Sequence, residues 1–316
     1  MEYRKLGRTG LMVSVVGYGT APLGDMYGSS NDDVALRSAY RAVDAGINFF
    51  DSSPSYGTGL AEERLGKVLR GRRQEVIVGT KAGKYGPDEQ DFSADRIRRG
   101  FEDSLRRLQT DWIDVYQMHH VDRETPWEEI WQAMEQLVRE GKVVYGGSSN
   151  FAGWHLAQAQ EAARSRNFLG LVSEQSLYNL NERMIELEVI PACEAYGIGL
   201  IPWSPLGRGL LAGVLQSDNS GRRADADLKE EVVKSRPKLE AYEGLCARIG
   251  ERPADVALAW LLHQRAVTSP IIGPRTMEQL NGSMRALSLS LSSDILKQLD
   301  EIFPGPGGAA PEAYAW

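Results

Sequence analysis

Short apolar runs recur along the whole chain, and their recurrence limits the folds open to it more than any other feature. They occupy residues 13–17, 47–50, 76–78, 112–117, 143–145, 171–173, 198–202 and 267–272. Each is of strand length and continuous rather than alternating, the pattern of strands buried on both faces of a parallel sheet. Helical patterns separate them, at residues 33–45, 61–69, 94–108, 127–139, 153–164, 181–196, 232–249 and 253–263. In the clearest of these, Ile97, Phe101, Leu105 and Leu108 recur at helical spacing, with Ser93 placed to cap the helix and Phe92 to staple onto Ile97. Arg96, Arg98, Arg99, Arg106 and Arg107 take the remaining, solvated face.

Eight strand and helix units, each of roughly thirty residues, predict an α/β fold: a parallel (β/α)8 TIM barrel that takes residues 1–316 as one domain. A doubly wound open sheet is the competing topology. It would announce itself by GxGxxG at a strand end with an acid about twenty residues on, and no run here ends that way. The one long interval precedes the eighth unit. There LAGVLQSDNSGRRADADLKEE is polar and glycine-bearing, and reads as a large loop on the C-terminal face or a mobile segment.

Composition narrows the partners. Lysine and arginine total 36 against 43 aspartates and glutamates, net −7, so no basic field exists to hold a polyanion and no nucleic-acid partner is expected. Cys193 and Cys246 stand far apart, with no CxxC and no histidine at zinc-ligand spacing. Neither a disulfide framework nor a metal site is expected, only two reduced, buried thiols of a cytoplasmic protein. The opening MEYRKLGRTG has no apolar region, and the longest apolar stretch, around residues 199–215, is broken by Pro202 and Pro205. Neither a signal peptide nor a membrane span is expected.

In a barrel the chemistry sits where strands end. The second run, INFF, leads into Asp51, with Tyr56 five residues on in SPSYG; the third, VIVGT, leads into Lys81; the fourth, WIDVYQM, leads into His119. Taken singly, these are a loop aromatic, a solvent-seeking lysine and a packed histidine. Together, at three consecutive strand ends, they form a complementary set. A phenol of pKa about 10 is a poor acid until a nearby ammonium stabilises its phenolate. Lys81 supplies that ammonium, Asp51 keeps it charged, Tyr56 becomes a proton donor to a carbonyl oxygen or a base toward an alcohol, and His119 orients that oxygen.

These residues resemble the aldo-keto reductase family from the first run to the last. YRKLGRTGLMVSVVGYGTAPLG resembles the family's N-terminal β-hairpin and first strand. Asp51 with the following SPSYGTGLAEERLGKVLRG resembles its aspartate and tyrosine signature, and VIVGTKAG and DVYQMHHVD the lysine and histidine segments. The resemblance implies a catalytic tetrad of Asp51, Tyr56, Lys81 and His119, with His120 lining the pocket. It also implies a nicotinamide cofactor. Ser149, Asn150 and Gln175 would hold the nicotinamide carboxamide, and Trp203 would lie under the ring. Ser204, Leu206 and Arg208 fall around the pyrophosphate, and Gly19, Thr20 and Asp51 complete the inner contacts. Gly273, Arg275 and Gln279, in SPIIGPRTMEQLNGS, would grip the adenosine end, where Arg275 would meet a 2′-phosphate and so favour NADP (NADPH) over NAD. Gly282 and Ser283 depart from the acid and asparagine that many relatives carry there.

The substrate implied is a small carbonyl or alcohol compound. The stretch from GTAPLG to TKAGKY resembles members that oxidise aldoses at C1. MHHVDRETPWEEIWQAMEQLVREGKV, FAGWHLAQAQ and the ending PGPGGAAPEAYAW resemble bacterial members that reduce keto sugars and ketones. Tyr85, His120 and Trp154 are the expected pocket residues, with Tyr56, Tyr314 and Trp316 as further aromatics able to stack on a sugar ring. A homo-oligomer is compatible with the family. Potassium-channel β subunits share the barrel and the cofactor, so a non-enzymatic regulatory subunit is the alternative; His119, where that group departs from the motif, favours an enzyme. A barrel isomerase or aldolase using Lys81 as a Schiff base would need no cofactor.

Overall fold

The computed structural model describes residues 1–28, 32–83, 90–216 and 226–315. An antiparallel hairpin comes first, β1 (Tyr3–Lys5) against β2 (Met12–Ser14), with Tyr3 opposite Ser14. Eight parallel strands follow: β3 (Gly17–Gly19), β4 (Phe49–Asp51), β5 (Ile77–Ala82), β6 (Ile113–Met118), β7 (Val143–Ser149), β8 (Leu171–Gln175), β9 (Gly199–Leu200) and β10 (Ile271–Ile272). Their order in the sheet is β10-β3-β4-β5-β6-β7-β8-β9. The two outer strands meet: Leu200 bridges Val267, and the amides of Thr268 and Ile271 donate to the carbonyls of Leu200 and Pro202, each at 2.8 Å. The sheet is therefore curled into the expected (β/α)8 barrel.

Helices α1 (Asp32–Asp44), α2 (Leu60–Leu69), α3 (Ala94–Leu108), α4 (Trp127–Arg139), α5 (Gly153–Ser165), α6 (Val189–Tyr196), α7 (Ala226–Ile249) and α8 (Pro253–His263) lie between the strands. Strand alternation sorts the side chains. Phe50, Tyr18 and Tyr116 face outward into the main apolar cluster beneath the helices, the Tyr18 and Phe50 rings stacked at 5.0 Å. Phe49, Val115, Val172, Ile201 and Ile271 face inward and pack with Leu6 and Val13 of the hairpin, which plugs the N-terminal end of the barrel. Further along, and past a register shift that places Val172 of β8 between the partners of Gly146 and Gly147, the inward lining turns polar: Asp51, Lys81, Gln117 and Gln175, all buried. Gly147 makes room for this layer, since a Cβ there would stand 3.0 Å from Gln117 Cγ and 2.5 Å from Ser173 Oγ.

Some boundaries differ from the sequence reading. The run at 13–17 is shared by two elements, the second arm of the hairpin and the start of β3. The helix expected at 181–196 begins only at Val189, after a 3-10 turn at Met184–Glu186. Pro191 is accommodated in its first turn, where its missing N–H costs nothing. The helix expected at 232–249 starts at Ala226 and runs through Pro237. Ser93 stands at the start of α3 without a capping bond; Glu129 Oε1 of α4 accepts from the Ala94 amide at 2.9 Å instead. The C-terminal part adds α9 (Met277–Ala286), α10 (Ser293–Ile302) and α11 (Glu312–Ala315). Residues 217–225 of the long interval lie outside the described residues. Among the described residues no helix is long and apolar enough to cross a membrane.

Candidate active site

The four residues marked by the strand ends converge on the C-terminal side of the sheet. Lys81 Nζ donates to both oxygens of Asp51, at 2.8 and 2.7 Å, and to the Ser52 carbonyl at 2.8 Å. It stands 5.2 Å from the centroid of the Tyr56 ring, and that ring meets His119 edge-on at 6.2 Å. Asp51 Oδ1 also accepts from Gln117 Nε2 and Gln175 Nε2, both at 2.9 Å. Strands β4, β5, β6 and β8 are thus tied to one carboxylate. Two glycines set the loop that carries Tyr56. Gly57 has φ +61, and a Cβ on it would fall 2.2 Å from the Gly24 carbonyl oxygen; one on Gly24 would fall 2.7 Å from the Tyr56 backbone. Side chains at either position would force the two loops apart.

Burial pulls the Lys81 ammonium below its ordinary range, and the facing charges of Asp51 and Glu62 oppose that. His119 is held well below 6.5, by burial first and then by the charge of Lys81 and by His120, so its ring is neutral near pH 7. Ser53 Oγ accepts from the Ser55 amide at 3.1 Å and lies 3.3 Å from His119 Nδ1, with the tautomer of the imidazole deciding which of the two donates. Where Ser53 donates, the neutral ring carries its own proton on Nε2.

The positions expected to hold a cofactor surround this centre. Ser149 Oγ donates to the Gln175 carbonyl at 2.8 Å. Asn150, at φ +61, donates from Nδ2 to the His119 carbonyl at 3.1 Å and to Ser149 Oγ at 3.0 Å, and its Oδ1 accepts from Trp203 Nε1 at 3.0 Å. Thr20, next to Gly19, donates from its amide to the Asp51 carbonyl at 2.9 Å and from Oγ1 to Ser52 Oγ at 2.8 Å. Ser204 and Arg208 are bonded to each other, Arg208 N to Ser204 Oγ at 3.0 Å, while Leu206 packs on the apolar cluster around α7 and α8. Gly273, Arg275 and Gln279 are exposed or half-exposed around the start of α9, where Gln279 Oε1 accepts from the Arg275 amide at 2.7 Å and Thr276 caps the helix.

The expected pocket residues are less uniform. His120 is half-buried, with Nδ1 accepting from the Val121 amide at 2.9 Å. Trp154 is 54% exposed, its ring tilted on His155 with centroids 3.5 Å apart. Tyr85 and Trp316 lie outside the described residues, and Tyr314 is exposed on α11. A cleft of about 530 Å³, lined by Arg8, Gln160, Arg164, Asn167, Phe168 and Tyr196, lies by the hairpin and holds none of these residues. Gln117, Ser52 and Ser53 belong to the centre yet are not picked out by reading strand ends. Gln117 was legible through parity: an amide two positions before His119 on a buried strand faces the same side.

The α/β barrel thus gathers a phenol, an ammonium, a carboxylate and a neutral imidazole at one end. The sequence model of the Aldo/keto reductase family matches residues 15–303, and the chain belongs to that family of oxidoreductases. It is 48% identical to YrpG, an uncharacterized oxidoreductase of Bacillus subtilis (strain 168), over 330 aligned positions covering 100% of both chains. It is 32% identical to a probable voltage-gated potassium channel subunit beta of Oryza sativa subsp. japonica, over 322 positions covering 96% of each.

Proposed function

We propose that the chain is a cytoplasmic, NADP-dependent oxidoreductase that interconverts a carbonyl and an alcohol on a sugar or sugar-like compound. The observation that carries the reading is the buried Asp51–Lys81 pair set beside Tyr56 and a neutral His119. Tyr56 passes a proton to the carbonyl oxygen, or takes it from the alcohol in reverse, with the ammonium favouring the phenolate left behind. His119 donates from Nε2 to the same oxygen and fixes its orientation. The cofactor, when bound, supplies or accepts the hydride.

The donor set suits such a cofactor. Amide and hydroxyl groups of Ser149, Asn150 and Gln175, on the ends of two adjacent strands, match a carboxamide, and Trp203 offers the nicotinamide an aromatic face. Gly19, Thr20, Ser204, Leu206 and Arg208 would line its path. Gly273 and Gln279 would flank the adenosine end, where the exposed Arg275 guanidinium at the start of α9 suits an added phosphate. His120, Trp154 and Tyr85 would form the substrate side.

Purified protein would be offered NADPH with a panel of aldehydes and ketones, and NADP with free aldoses. Tyr56→Phe is expected to lower turnover by at least about a hundredfold; cofactor consumption that survives the change intact defeats the mechanism. Arg275→Ala is expected to weaken NADPH and spare NADH, and equal affinities in the unaltered protein defeat the NADP assignment. The likeness to a potassium channel subunit supports a second reading, a nicotinamide-binding regulatory subunit, which predicts cofactor binding with no turnover on any substrate.

A further inference from the structure

An acid that takes no part in the proton transfer lies among the residues assigned above to the carboxamide. Glu174 precedes Gln175 on β8, so alternation turns it to the opposite face of the sheet, where it is wholly buried. Its Oε1 accepts from the Phe151 amide at 3.1 Å and from Ser176 Oγ at 2.7 Å, while Ser148 Oγ donates to Oε2. Each partner is chain neighbour to one of the residues in question: Ser148 to Ser149, Phe151 to Asn150, Ser176 to Gln175. No salt bridge to Glu174 occurs among the described residues, and the titratable group facing it from α6 is the buried thiol of Cys193. Burial raises its pKa to about 7, against the hydrogen bonds from Ser148, Ser176, Phe151 and Asn150. A lone carboxyl in such a place is costly, and what it gains is a single fixed point for three segments.

We infer that Glu174 is a positioning residue for the nicotinamide carboxamide. By fastening Ser148, Phe151 and Ser176 to one group, it holds Ser149, Asn150 and Gln175 in mutual register; the inference rests on the cofactor reading above. Asn150 depends on this most, because its left-handed backbone is fixed by its own amide to the Gln175 carbonyl at 3.0 Å and by the next amide to Glu174.

The test compares two ligands by equilibrium titration: NADPH, and 2′-phospho-ADP-ribose, which keeps the adenosine end and lacks nicotinamide. Glu174→Ala is expected to raise the Kd for NADPH about tenfold and to leave that for 2′-phospho-ADP-ribose within about twofold. Glu174→Gln is expected to recover most of the loss. Its amide oxygen still accepts from Phe151, and its NH2 donates to Ser148 once that hydroxyl turns fully to the Ser173 carbonyl, 3.3 Å away. Equal weakening of both ligands, or none, overturns the inference. Should the alanine variant fail to fold, Ser176→Ala loosens the same clamp; a rise of about threefold for NADPH alone is expected, and equal effects on both ligands overturn it. Failure of the cofactor reading shows separately, as unaltered protein that binds neither NADPH nor NADH, and that result removes the positioning role as well.

Discussion

The ammonium of Lys81 has three protons, and Asp51 Oδ1, Asp51 Oδ2 and Ser52 O accept all of them. Its effect on the Tyr56 ring 5.2 Å away is therefore through space, and depends on the carboxylate that keeps a wholly buried cation charged. Asp51→Asn leaves that cation uncompensated and is expected to cost about 3–5 kcal/mol of stability, read from urea unfolding, together with most of the turnover. Adding Lys81→Met to it removes both charges. The double variant should regain much of the stability and none of the activity; a double variant no more stable than the single one contradicts this account. The convergence of Asp51, Tyr56, Lys81 and His119 was legible because each stands just past an apolar run or in the loop that follows. Glu174 was not, because a polar residue inside a buried run shows its purpose only when its face and its neighbours are known; parity gives Gln117 its face but not its partner, Asp51.

The pairing of Gly24 with Gly57 belongs to the elements, since it joins the loop after β3 to the loop after β4 and so aims Tyr56. Gly57→Ala would have to adopt φ +61 and clear an oxygen 2.2 Å from its new carbon. A loss of about 2 kcal/mol is expected, with a fall in kcat that exceeds any change in cofactor affinity; unchanged kcat would mean that the loop position does not matter. The order of strands and helices was legible from periodicity, because continuous apolar runs and amphipathic stretches alternate along the chain. Element ends were less so. The run from Val13 to Gly17 carries no turn signal, yet the chain divides it between hairpin and barrel. The cap on α3 comes from Glu129, distant in sequence, which no local pattern reveals.

Across the whole molecule, three buried titratable groups set opposing slopes of stability against pH. Burial above all holds His119 well below 6.5 and His155 at about 4, so between pH 4 and 6.5 the unfolded chain takes up protons that the fold refuses. Their contribution rises with pH in that range. Glu174, at about 7 rather than 4.5, does the reverse: the fold keeps a proton that the unfolded chain releases, and its contribution falls as pH rises through that range. Glu174→Gln removes the falling part. Urea midpoints at about pH 5 and about pH 6.5 should therefore climb more steeply in the variant than in the unaltered chain, and a shallower climb contradicts the assignment.

Leu6 and Val13 of the hairpin stopper the far end of the barrel. Among the described residues the hairpin thus closes one end of the barrel, and the Asp51–Lys81 pair stands toward the other, where the strands end. A ligand that reaches that pair is expected to come from the side where the strands end, so the hairpin would bear on the route by which ligands enter as well as on packing.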